Sequence, residues 1–252
     1  MKKSFPRVLI CAPTAASKNY CFEKWIDNVM SFTYPEFTVR LFDNTSDKGV
    51  NAKRLNDKVA SRYGNVGANN KFYAANSLLL NNSQDKDITA KLALSHNDCR
   101  NLFLAGGYDY MLHLESEVFP QTNLIETLMF HRKQVVGALY YRDSGAYRSI
   151  MLQKMIYLAP REGISVNFTA GEELYFIDGT LKQASSVGLG CVLIAKPVLQ
   201  SIKFRRTKGS EAAPDAYFSE DCFTRNIKIY ADTSCIAVHD NQDWGIYGID
   251  FK

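Results

Sequence analysis

Paired cysteines are missing from this 252-residue sequence. Its six cysteines, Cys11, Cys21, Cys99, Cys191, Cys222 and Cys235, are scattered, with no CxxC among them. That pattern excludes a zinc ribbon and a disulfide framework, and with Cys11 and Cys191 set inside apolar runs it fits reduced, buried thiols in a cytoplasmic protein. No stretch approaches the ~20 consecutive apolar residues of a membrane span. Met1-Lys2-Lys3 followed by Val8-Leu9-Ile10-Cys11-Ala12 has the outline of a signal peptide, but the apolar core is too short and Pro13 ends it, so it reads as the first strand. There is no strong charge bias: a net charge of +4 makes no electrostatic case for nucleic acid. Glycine is absent from Pro13-Thr14-Ala15-Ala16-Ser17-Lys18, where a nucleotidyltransferase needs a Gly-rich triphosphate cradle. Neither an internal repeat nor a long linker breaks the chain, so 1–252 reads as one domain.

What is present is ordinary for a globular protein, with 46% apolar and 22% charged residues. Arg7 to Ala12 reads as a strand, 20–32 as a helix through Phe22, Trp25, Ile26, Val29 and Met30, and Phe37 to Phe42 as a second strand ending in Asp43. A strand, helix and strand closed by a carboxylate form a nucleotide-binding half-unit. Asp43 suits either a nucleobase or ribose contact or an Asx turn. Residues 47–85 are polar, with a helix expected over Lys53 to Tyr63 and a loop at Asn81-Asn82-Ser83. A long helix follows over Ile88 to Leu104, stopped by Gly106-Gly107, with Asn97 and Arg100 on one face.

Tyr110 to Leu114 is a short apolar run, read as a strand buried on both faces. It ends in Glu115-Ser116-Glu117. Two carboxylates directly after a buried strand are costly unless they meet solvent, a partner or a metal. On extended chain their i, i+2 spacing sends both to one side, towards one cation. Hard cations take such oxygens and are completed by substrate phosphates. A helix from Pro120 to about Phe130, a strand over Gln134 to Tyr141, and strands over Met151 to Leu158 and Leu174 to Ile177 are expected next. Cys191 to Ala195 reads as a buried strand, with a helix from Pro197 and a mobile loop at 205–216. A helix capped by Ser219 follows, and then two strands, Ile227 to Tyr230 and Ser234 to Val238, the second delivering His239.

Taken in this order, the pieces resemble a GT-A fold glycosyltransferase, most similar to family 2. Val8 to Thr14 resembles the first strand and its nucleotide loop. Asn97-x-x-Arg100 and Leu114-Glu115-Ser116-Glu117-Val118-x-Pro120 resemble the helix and the aspartate-x-aspartate motif. Gly188-Leu189-Gly190 and then Ser219-Glu220-Asp221 resemble the acceptor-side glycine strand and x-Glu-Asp motif, and His239 the histidine after the last strand. The resemblance implies an α/β fold with a Rossmann-like donor half (1–120), an acceptor half (121–252) and a mixed central sheet flanked by helices. It implies a metal-dependent, inverting transfer of a sugar from a nucleotide-diphosphate sugar, a UDP-sugar above all, to a hydroxyl. It assigns Glu115, Glu117 and His239 to Mn²⁺ (or Mg²⁺), with Glu115 also reaching the ribose, and Thr14, Asp43 and Arg100 to the donor. Asp221 becomes the base and Glu220 an acceptor ligand. The acceptor stays open among a glycan, a protein, a lipid-linked sugar and a modified nucleobase. Tyr140, Tyr141, Arg142, Tyr147 and Arg148 suit either stacking on it or an exposed sheet edge. Glu-Ser-Glu departs from the family pattern by one methylene per ligand. That leaves a non-catalytic module binding nucleotide or glycan as the alternative.

Overall fold

The computed structural model describes residues 5–64, 71–77, 88–144, 147–158, 162–169, 171–207 and 212–240. The loop expected at 81–83, residues 208–211 of the loop expected at 205–216, and the tail with Trp244 and Tyr247 lie outside them. In chain order the elements are β1 (Val8–Thr14), α1 (Phe22–Met30), β2 (Phe37–Asp43), α2 (Val50–Tyr63), β3 (Phe72–Asn76), α3 (Ile88–Ala105), β4 (Tyr110–Leu114), β5 (Val118–Phe119) and α4 (Leu124–Phe130). Next come β6 (Val135–Ser144), β7 (Tyr147–Ile150), β8 (Leu152–Leu158), β9 (Glu162–Val166), α5 (Glu172–Phe176), β10 (Leu181–Ala184) and β11 (Ser186–Val187). The chain closes with β12 (Cys191–Ala195), α6 (Lys196–Ser201), α7 (Pro214–Thr224) and β13 (Ile229–His239).

The architecture is a large mixed sheet flanked by helices, in the order β10-β13-β6-β12-β4-β1-β2-β3. Strands β1 to β4 are parallel, as the half-unit requires, and β12 enters antiparallel between β4 and β6. The buried apolar strand β1 divides its side chains between two cores. Val8, Ile10 and Ala12 pack with Phe22, Trp25 and Ile26 of α1 and Leu55 and Val59 of α2. Leu9 and Cys11 pack with Cys99 and Phe103 of α3, Val198 of α6 and Phe218 of α7. All six cysteines are buried and free. No helix among the described residues is long and apolar enough to cross a membrane.

Four expectations are corrected. Strand β3 lies within the polar 47–85 stretch, where pairing with β2 overrides weak local signals. Residues 172–176 are a short helix rather than a strand, with Leu174 and Tyr175 exposed. Helix α7 begins at Pro214, a residue suited to a first helical turn, so Ser219 sits inside the helix and does not cap it. The two expected closing strands are one, β13, whose register on β6 shifts between Asp232 and Ile236.

Candidate functional site

Strand β4 stops at Leu114 because the chain turns: the Val118 amide donates to the Glu115 carbonyl at 3.0 Å. Glu115-Ser116-Glu117 is therefore a tight turn and not extended chain. The carboxylates still converge, since the turn is pinned on several sides. The Glu115 amide donates to Gly190 O at 3.0 Å, and the Ser116 and Thr14 hydroxyls meet at 3.1 Å. Strand β5 leaves the turn and pairs with β13, setting His239 opposite Val118. That pairing carries His239 beside the turn across more than a hundred residues of sequence. Ligand atoms of Glu115, Glu117 and His239 lie within 4.8 Å of one another, and His239 Nε2 stands 3.9 Å from Glu117 Oε1. Two carboxylates and an imidazole at this spacing fit a divalent cation that takes oxygen and nitrogen ligands. Burial pushes both carboxyls above the usual carboxylate range, and the Lys18 ammonium, bonded to Glu117, pulls the other way.

The site has a wall that sequence reasoning missed. Asp215, in the first turn of α7, is held above its ordinary pKa by burial, and its charge acts on both Glu115 and the Tyr140 hydroxyl. Arg142, on β6, acts on both Asp215 and Glu115. Tyr140 Oη accepts the Gly190 amide at 2.9 Å, and its ring lies 5.4 Å from that of His239. Glycine is required at 188 and 190, because a Cβ there would come within 2.1 Å and 2.5 Å of Tyr140 Oη. The signal for Asp215 was the Pro-Asp pair, a proline at the first turn of a helix followed by an acid. A small, charged surrounding sequence made it look like loop.

Thr14 ends β1 beside Asp43, which ends β2. Asp43 is buried and held above its usual range by that burial. Its Oδ1 accepts from the Thr45 amide and hydroxyl and from Asn51, while the buried Oδ2 has no partner among the described residues. Asn76, next along the strand edge, likewise leaves Oδ1 unpartnered. Two unsatisfied buried acceptors suit a ligand that brings donors.

Three expected site residues are placed elsewhere. Arg100 is buried and donates to the carbonyls of Leu199 and Ile202, both at 2.7 Å, so its guanidinium closes the end of α6 and is committed away from the donor edge. Asn97 holds the next segment, accepting from the Phe204 amide and donating to its carbonyl. Asp221 accepts both arms of Arg205 at 3.0 Å, and Glu220 accepts from the same guanidinium. Asp221 lies six residues beyond Asp215 in α7, about 9 Å along the axis and on another face. His113 and His96 form a buried pair at 2.8 Å, with His113 Nδ1 on Leu189 O, which ties α3 to the glycine turn at 188–190.

No protein-family model matches the chain, and no curated protein matches it in sequence. Solved structures do. The crystal structure of GalNAc-T7 with UDP, GalNAc and Mn²⁺ matches with a TM-score of 0.60 at 10% identity, covering 94% of this chain. The chain spans 44% of that protein's length. The crystal structure of A197 from STIV matches with a TM-score of 0.48 at 14% identity, covering 94% of this chain and 87% of that one. The fold is that of a GT-A glycosyltransferase.

Proposed function

We propose that the chain is a metal-dependent glycosyltransferase that moves a sugar, with inversion, from a UDP-sugar to a hydroxyl acceptor. The observation that carries the reading is the meeting of Glu115, Glu117 and His239 at the carboxyl edge of a parallel sheet, where open α/β sheets bind their ligands. Glu117 and His239 would hold the cation, and Glu115 would reach it or the ribose. An imidazole ligand favours Mn²⁺ over Mg²⁺. When bound, the ion offsets the charge that develops on the leaving diphosphate. Asp43 Oδ2 accepts a base N–H, as uracil N3–H offers, which would satisfy the buried oxygen. Thr14 lies between that contact and the turn, bonded to Ser116.

Inverting transfer needs a carboxylate to take the acceptor proton as the oxygen attacks. We assign that role to Asp215. Burial holds its pKa above the ordinary aspartate value, and its charge acts on Glu115. Asp221 and Glu220 instead hold Arg205. Arg142, whose charge acts on both Asp215 and Glu115, is suited to an acceptor's polar groups. A second reading, a module that binds nucleotide without turnover, is favoured by the Lys18 ammonium already seated on Glu117. The acceptor is unidentified, so water serves in its place. UDP-sugar hydrolysis is screened over glucose, galactose and N-acetylated donors with Mn²⁺. The expected outcome is turnover in wild type, a fall of about 10²–10⁴ in Asp215→Asn, and near wild-type rates in Asp221→Asn. Loss in Asp221→Asn with Asp215→Asn unaffected reverses the assignment. Tight UDP binding with no turnover of any donor supports the non-catalytic module.

A further inference from the structure

Lys18 stands where the two ends of the site join. It closes a single 3-10 turn, Ala16–Lys18, directly after β1. The Ala16 amide at the start of that turn donates to Thr45 Oγ1 at 2.8 Å, and Thr45 Oγ1 donates to Asp43 Oδ1 at 2.7 Å. The far end of the turn reaches the acidic cluster, where the Lys18 ammonium bonds Glu117 Oε1, the oxygen that also faces His239. The Lys18 side chain is 20% exposed and Glu117 3% exposed, so the ammonium is the reachable partner of the pair. A Lys side chain is a point charge on a flexible stem and can change partners. A divalent cation and an ammonium on one carboxylate oxygen repel, so the two occupations of Glu117 exclude each other.

We infer that Lys18 is an exchangeable counter-ion: its ammonium neutralises Glu117 in the free protein and moves to the diphosphate of a bound nucleotide when a metal takes Glu117. The inference rests on the metal-site reading above and deepens it. The bonds to Thr45 and Asp43 fix the turn along the path from the base contact to the cluster, which is the path a diphosphate spans. Positive charge at Glu117 is thus kept in both states, and the buried carboxylate is never left bare.

The test measures Mn²⁺ binding alone, and UDP binding at saturating Mn²⁺, by calorimetry on wild type, Lys18→Met and Lys18→Arg, with melting temperatures confirming that each is folded. Lys18→Met keeps the length and apolar stem and removes the charge. It is expected to bind Mn²⁺ about ten- to a thousandfold more tightly, the range one neighbouring charge exerts on a carboxylate, and to bind UDP at saturating Mn²⁺ at least ~10-fold more weakly. Lys18→Arg keeps the charge and is expected to stay near wild type in both. Damage to the fold would weaken both ligands together, so opposite signs identify the exchange. Wild-type Mn²⁺ binding with unchanged or weaker affinity in Lys18→Met overturns the inference and leaves the metal site standing. Tighter Mn²⁺ with unchanged UDP affinity also overturns the exchange. No Mn²⁺ uptake by wild type or Lys18→Met overturns the inference and the metal site together.

Discussion

Asp43 shows what a single residue contributes to this site. Three donors satisfy one oxygen of its carboxyl, and the other is buried without a partner among the described residues. A buried unpaired oxygen is costly, and a ligand N–H that reaches it removes the cost on binding. Asp43→Ala is therefore expected to weaken UDP binding by about 1–3 kcal/mol while leaving Mn²⁺ binding alone unchanged, both read by calorimetric titration. Equal UDP affinity in the variant would make the carboxyl a brace for Thr45 and Asn51 only. Legibility differed sharply between residues. Asp43, Glu115, Glu117 and His239 announce themselves as polar groups at the ends of buried strands, where a charge needs a reason to be. Asp215 sits among small and charged residues, and what makes it notable is burial, which arises only when α7 packs against β11 and α3. Arg100 reads the same in sequence whether it meets a phosphate or backbone carbonyls. The choice is made by the end of α6 arriving a hundred residues later in the chain.

At the level of elements, the site depends on a crowded contact between β6 and the turn at 188–190 that joins β11 to β12. Tyr140 reaches across to the Gly190 amide, and there is room for no side chain at 190. The Gly190 carbonyl also anchors the Glu115 amide. Gly190→Ala is expected to cost about 1–3 kcal/mol, seen as a lower denaturation midpoint, and to weaken Mn²⁺ binding as the turn shifts. Full stability with intact metal binding would show that Tyr140 can yield without moving the turn. Strands β1, β4 and β12 were legible as largely apolar runs, and β2 by its alternation of Phe37, Val39 and Leu41 with Thr38 and Arg40. Strand β3 and the β5–β13 pairing were not, since both are specified by a neighbour's open edge rather than by their own pattern. The five-residue helix α5 failed for a related reason: its Tyr175 and Phe176 are β-formers by type, and the helix is too short to show a period.

Across the whole molecule, β4 is the hinge of the account. It has a parallel neighbour, β1, on one side and an antiparallel one, β12, on the other, so the turn after Leu114 opens where the sheet changes direction. The nucleotide edge, the glycine turn at 188–190 and the last strand all converge on that point, and the fold matches a glycosyltransferase structure despite 10% identity. The most direct test is a calorimetric titration of UDP into wild type and Glu117→Ala, each with and without Mn²⁺. The account predicts that Mn²⁺ tightens UDP binding at least ~10-fold in wild type, about 1.4 kcal/mol, and that Glu117→Ala, still folded, loses this gain. UDP affinity indifferent to Mn²⁺ in wild type, or an equal gain in Glu117→Ala, would contradict it.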